Sequence, residues 1–130
     1  MRVDERLIRR CESVKDIAAS AAGELIDEGA TALFACNHYL EMGTLKAMLR
    51  RHISPGVDLG FAGFDEIEFA DVFDPVPACV VQPICAIASL AASLLLGRIG
   101  RGFAPDGIHR VPCEVRLTSS ILGGLANARV

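Results

Sequence analysis

The 130-residue chain lacks the short motifs that announce a chemistry. It has no GxxxxGKS/T and no GxGxxG, so neither phosphate-cradling loop is offered. It has no GxSxG, so no serine or cysteine sits in a recognisable nucleophile setting. Its five cysteines are odd in number and contain no CxxC, which argues against a disulfide framework and against a zinc site. Positive charge is scarce: the formal charge is −3, and Arg9–Arg10 and Arg50–Arg51–His52 are the only basic clusters. That lacks the footprint of a duplex-binding domain, and both clusters are expected on solvated faces. The start, MRVDERLIRRC, has no apolar signal-peptide core. The most apolar helix candidate, 84–96, falls short of the roughly 20 residues needed to cross a bilayer.

What remains is apolar and ordered. Hydrophobic residues make up 52% of the chain, and its length suits one domain with a real core. Most cysteines lie inside apolar runs, where a free thiol acts as a small hydrophobe, so a reducing cytoplasm is the expected location.

Residues 6–11 could form a marginal or edge strand. Ser13-Val14-Lys15-Asp16 has capping-box spacing for a first helix, whose apolar positions are Val14, Ile17, Ala18, Ala21 and Leu25 and whose stop is Gly29. TALFAC, 31–36, reads as a strand, and Asn37 caps a second helix over 38–51 with Met42, Leu45, Met48 and Leu49 as its core stripe. After a Pro55-Gly56 turn, 59–64 is a second strand, and 66–72 is a short helix or loop. Residues 78–81 form a third strand, and Pro83 starts a helix to about residue 99, closed by Gly100 and Gly102. A last extended segment covers 108–118, and 119–130 reads as a loose tail. Strands alternating with helices give an α/β fold: three layers, a mostly parallel sheet flanked by helices. The strands are continuous apolar runs, as expected where helices cover both faces.

In such a sheet ligands collect at the carboxyl ends of the strands, and two polar residues fall there: Asn37 after TALFAC and Asp65 after LGFAGF. If the strands are neighbours, both side chains enter one crevice. Asp65 can accept from two adjacent hydroxyls, while Asn37 can both donate and accept. Each also has a plain structural use, Asn37 as a helix cap and Asp65 as a loop acid. His38 is a general-base candidate beside Asp65 in a small α/β enzyme, although it starts a helix, where histidines are mostly surface residues. Glu66 and Glu68 raise a metal site, but no second acid cluster or histidine joins them. Gly60 and Gly63 are better explained by close helix packing than by phosphate binding.

Taken in order, ATALFACNHYLEMGTLKAMLRRHI, SPGVDLGFAGFDEIEFADVFDP and VVQPICAIASLAASLLLGRI resemble the effector-binding domain of the lactose-repressor (LacI/GalR) family of bacterial transcription regulators. The resemblance runs from about Ser13 to Ser120. It implies one lobe of a periplasmic-binding-protein-like fold, with 1–120 as the C-terminal lobe, 83–100 as a crossover helix and 121–130 as a tail. It also implies that the DNA-binding headpiece and the N-terminal lobe are absent. The family's effector-binding Asn and Asp fall on Asn37 and Asp65, and Gln82 falls at the crossover between lobes.

Three departures stand out. The family's Asp after Asn is His38, its Leu-Thr-Thr is Pro77-Ala78-Cys79, and its terminal Arg-x-Ser-Thr is only partly met by Thr118-Ser119-Ser120-Ile121. The implied function is sensing a sugar or nucleoside-like effector, with no catalysis, cofactor or metal. DNA would be met only through the missing headpiece, and a homodimer or higher oligomer is expected, without membrane contact. A transport-type sugar-binding protein is the alternative. The uncharged helix over 84–96 is apolar all round, so it should fold back onto its own sheet or be buried between copies.

Overall fold

The computed structural model describes residues 3–101 and 107–121. A four-stranded sheet has the order β1-β2-β3-β4, formed by β1 (Ala32–Ala35), β2 (Gly60–Phe64), β3 (Ala78–Val81) and β4 (Glu114–Arg116). The first three strands are parallel and β4 is antiparallel to β3. The helices are α1 (Lys15–Asp27), α2 (His38–Arg50) and α3 (Ile84–Arg101), with single 3-10 turns at Glu5–Leu7, Ala70–Val72 and Ser119–Ile121. The mostly parallel α/β sheet is as expected.

Local chemistry explains most boundaries. α1 ends where Gly29 takes φ +87, with the Gly29 and Ala30 amides donating to the Ile26 and Leu25 carbonyls, the Schellman closure. Its start differs from expectation: Val14 is the N-cap, without a side-chain cap. Ser13 is instead engaged by Asn37, so the capping box is not formed. Asn37 does cap α2, its Oδ1 accepting from the Leu40 amide at 3.0 Å. Gly56 turns the chain at φ +77, where a side chain would collide with Ser120.

The core lies between α2 and the sheet, with Ala35, Leu45, Met48, Leu59, Phe61 and Ile67 buried together. Phe61 and Met48 are 1% and 0% exposed, and each such side chain contributes about 1.5–3 kcal/mol on leaving water. α1 packs on α2 through small residues, Ala19 and Ala22 against Ala47. Gly43 allows that approach, since any side chain there would strike Ala18 and the Lys15 carbonyl.

Several readings need correction. Residues 6–11 are not a strand: Asp4 draws the chain into a 3-10 turn by accepting from the Arg6 amide and guanidinium. Leu49 is 76% exposed, and Glu41, Thr44 and Ala47 join Leu45 and Met48 on the buried face of α2. Phe34 is 57% exposed, so β1 is covered on its Leu33 and Ala35 side and open on the other. Cys36, Cys85 and Cys113 are exposed, although all five thiols are free. Gly100 continues α3 instead of ending it, and Gly102 lies outside the described residues. The extended segment narrows to Glu114–Arg116.

Residues 119–121, expected at the start of a loose tail, form an ordered 3-10 turn, and residues 122–130 lie outside the described residues. Ser120 is fully buried, its hydroxyl donating to the Phe61 carbonyl at 3.0 Å and accepting from the Ala78 amide at 2.8 Å. α3 does not fold back onto the sheet. None of residues 84–100 is buried, and Ile84, Leu95, Leu96 and Ile99 are exposed. Among the described residues no helix is long and apolar enough to cross a membrane.

Candidate functional site

The register of the first two strands places Asn37 and Asp65 side by side. Ala35 of β1 pairs with Gly63 of β2, and each polar residue follows two positions later, at the carboxyl end of its strand. Both are half-buried. Asn37 uses both ends of its amide inside the chain: Oδ1 caps α2, and Nδ2 donates to Ser13 Oγ at 3.0 Å. It therefore ties the starts of α1 and α2 together as well as sitting at the crevice.

Asp65 is held differently. Its backbone takes φ +108, a region that side-chain-bearing residues rarely occupy, and its amide donates to the Val80 carbonyl at 3.0 Å. Asp65 Oδ1 accepts from Gln82 Nε2 at 2.6 Å. Among the described residues Oδ2 has no hydrogen-bond partner. So the structure joins Asp65 and Gln82 directly and sets Asn37 on the neighbouring strand end, its own bonds running to Leu40 and Ser13.

Sequence reading missed Glu41. This side chain is 1% exposed, and among the described residues neither carboxyl oxygen has a hydrogen-bond partner. It fills the space beside Gly63, where any side chain would overlap it, which explains why β2 carries glycine at that position. It borders a cavity of about 10 Å³ with Asp65, Ile67, Pro77 and Cys79, room for about one water molecule. Burial, and then the negative charge of Asp65, push the Glu41 carboxyl up to about 8. A signal was available: Glu41, Leu45 and Met48 share helical spacing, so an acid stands on the core stripe.

The other candidates are not brought together. His38 is exposed, and its ring meets Tyr39 edge-on with centroids 5.8 Å apart. Glu66 pairs with Arg116, which also donates to Glu114 at 2.9 Å, while Glu68 is exposed. Among the described residues no group of three or more His, Cys, Asp or Glu side chains could hold a metal ion. The basic clusters are partly spent on ion pairs, Arg9 with Glu24 and Glu28 and Arg51 with Asp27.

Comparison with known proteins gives this geometry a context. The chain is 27% identical over 120 residues to the repressor CytR of Escherichia coli K12, covering 91% of this chain and 35% of CytR. It is 32% identical over 98 residues to the repressor PurR of Vibrio atlanticus, covering 74% of this chain and 29% of PurR. The chain thus spans about a third of the length of these curated relatives. A LacI-family regulator of Enterococcus faecium, solved with bound ribose, superposes with a TM-score of 0.70 at 27% identity, over 81% of this chain and 39% of that one. CcpA of Lactococcus lactis shares the fold with a TM-score of 0.78 at 19% identity, over 92% of this chain and 44% of that one. With the periplasmic binding protein-like domain model matching residues 3–121, the chain belongs to that domain family, in the form carried by LacI-type transcriptional regulators.

Proposed function

We propose that this chain is the C-terminal lobe of the effector-sensing domain of a cytoplasmic LacI-type regulator. It offers a sugar or related polyhydroxy ligand one wall of a binding cleft. The observation that carries the reading is Asp65: a carboxylate in a rare backbone conformation at the end of β2, braced by Gln82, with one oxygen left over. Such strain persists where the surroundings over-determine it and concentrates at functional sites. Asp65 would accept ligand hydroxyls, Gln82 would fix its orientation, and Asn37 would border the same crevice from β1.

In a complete regulator an opposing lobe would close over this wall. Effector binding acts on operator affinity only if it favours one of two lobe arrangements. DNA would be contacted by a headpiece outside these residues, and two copies would pair to read a two-fold site. A single wall leaves most of a ligand in water, so the chain by itself binds sugars weakly or undetectably in calorimetry. With the opposing lobe supplied, binding returns, and Asp65→Ala lowers the affinity at least about tenfold, the loss of one or more charge-assisted hydrogen bonds. Undiminished affinity in that variant overturns the assignment of Asp65.

A further inference from the structure

Glu41 lines the same small cavity as Asp65 and has no ligand-binding role in the proposed function. It is an acid with 1% exposure, no hydrogen bond at either oxygen among the described residues, and a bordering cavity shared with Asp65. Space has been cleared for it: Gly63 is the β2 residue whose side chain would occupy the same volume. Burial of an unpaired polar group costs stability, and an aliphatic side chain in that place would avoid the cost.

We propose that Glu41 is a second, buried carboxyl of the Asp65 crevice, and that the two together select ligands presenting a hydroxyl or ammonium group there, against phosphorylated or carboxylated ones. The inference rests on the crevice being the ligand site. Asp65 meets the ligand directly, and Glu41 lies beneath it as a carboxyl floor that keeps its proton below about 8 and gains charge only by releasing it. The ionisable groups facing Glu41 are Asp65 beyond β2 and Cys79 on β3. β1 carries none, and α1 meets α2 through Ala19 and Ala22, with its Asp16 and Asp27 paired to Lys46 and Arg51. Arg116 on β4, which acts on Cys79, is itself paired with Glu66 and Glu114, so among these groups no cation is matched to Glu41 or Asp65. An anionic ligand group would therefore face one ionised carboxylate with a second carboxyl behind it. An ammonium group would relieve the repulsion and let Glu41 release its proton to solvent.

The test is carbon-detected NMR of the chain with labelled Glu and Asp side chains, titrated with pH alone and then, with the opposing lobe supplied, with glucose, glucosamine and glucose 6-phosphate as probes. Glu41 is expected to titrate at about 8, and Asp65→Asn to lower that midpoint, as removal of a like charge does. Should that variant not fold, the wild-type Asp65 carboxyl resonance serves instead, its chemical shift changing at the Glu41 midpoint as the neighbouring charge appears. Glucose and glucosamine are expected to shift the Asp65 resonance, glucosamine also lowering the Glu41 midpoint, while glucose 6-phosphate shifts neither. An ordinary carboxyl midpoint for Glu41, or one unmoved by Asp65→Asn, overturns the carboxyl pair and leaves the effector reading standing. An intact pair with resonances silent toward every sugar overturns the effector reading on which the selectivity rests. A response to glucose 6-phosphate as large as that to glucosamine overturns the selectivity alone.

Discussion

Glu41 occupies the volume that any side chain at Gly63 would need, so one helix residue and one strand residue are chosen as a pair. Gly63→Ala should destabilise the chain by about 1–3 kcal/mol through overpacking. In the Glu41→Ala background the same change should cost much less, because the competing carboxyl has gone. Urea unfolding of the two single variants and the double variant measures this coupling. Strict additivity would show that the two residues do not compete for space.

The raised carboxyl of Glu41 gives stability a definite pH dependence. Its ordinary value is 4.5 and its folded value about 8. Between those values the folded chain holds a proton that the unfolded chain has lost. Raising pH through this window therefore favours unfolding, with a slope of at most about 1.4 kcal/mol per pH unit. Above about 8 both states are ionised and this contribution flattens. Asp4 and Asp16, held low by hydrogen bonds from Arg6 and Lys46, act with the opposite sign and only at the acid end. Glu41→Gln should flatten the curve in this window. An unchanged alkaline decline in that variant would assign it to another group.

Asn37 is both a crevice residue and a structural one, and substitutions separate the two. Asn37→Ala loses the cap on α2 and the bond to Ser13, and should cost about 1 kcal/mol in thermal unfolding with no ligand present. Asn37→Asp keeps an acceptor for the Leu40 amide and should retain most of that stability. If Asn37→Ala is neutral, the cap seen here contributes nothing and the residue is free to serve a ligand.

The legibility of this chain follows the range of the forces involved. β3 was readable to the residue because Pro77 and Pro83 bracket an apolar run, and the Asn37 cap was readable because it acts three residues away. The strand-end positions of Asn37 and Asp65 could be inferred, but their level placement needed the β1–β2 register. Ser120 could not be found from local pattern, since its partners lie 42 and 59 residues away. Glu41 was hidden by its chemistry, because an acid in a helix reads as solvent-facing unless its place on the apolar stripe is weighed more heavily than its charge.

Ser120 anchors the last described turn across β2 and β3, and removing its hydroxyl leaves the Ala78 amide and the Phe61 carbonyl without that partner. Ser120→Ala should cost about 1–3 kcal/mol, the penalty for stranding buried polar groups. Amide exchange at Ala78 should accelerate in the same variant. Unchanged protection there would mean that water replaces the hydroxyl at little cost.

α3 presents Leu95, Leu96 and Ile99, at 60%, 67% and 73% exposure, within one turn of helix. Spacings of three and four residues place Ile99 on the same face as both leucines. Single exposed leucines are ordinary, but a contiguous apolar face drives association or awaits a partner surface. The chain should therefore self-associate with rising concentration in sedimentation velocity, and Leu96→Glu with Ile99→Glu should return it to monomer without lowering its unfolding midpoint. Both positions are exposed, so the double substitution touches no buried contact within the chain. A wild-type chain that stays monomeric at millimolar concentration would show that this face does not bind its own copy. Dissociation accompanied by a lowered midpoint would mean that the helix stabilises the fold within a single chain.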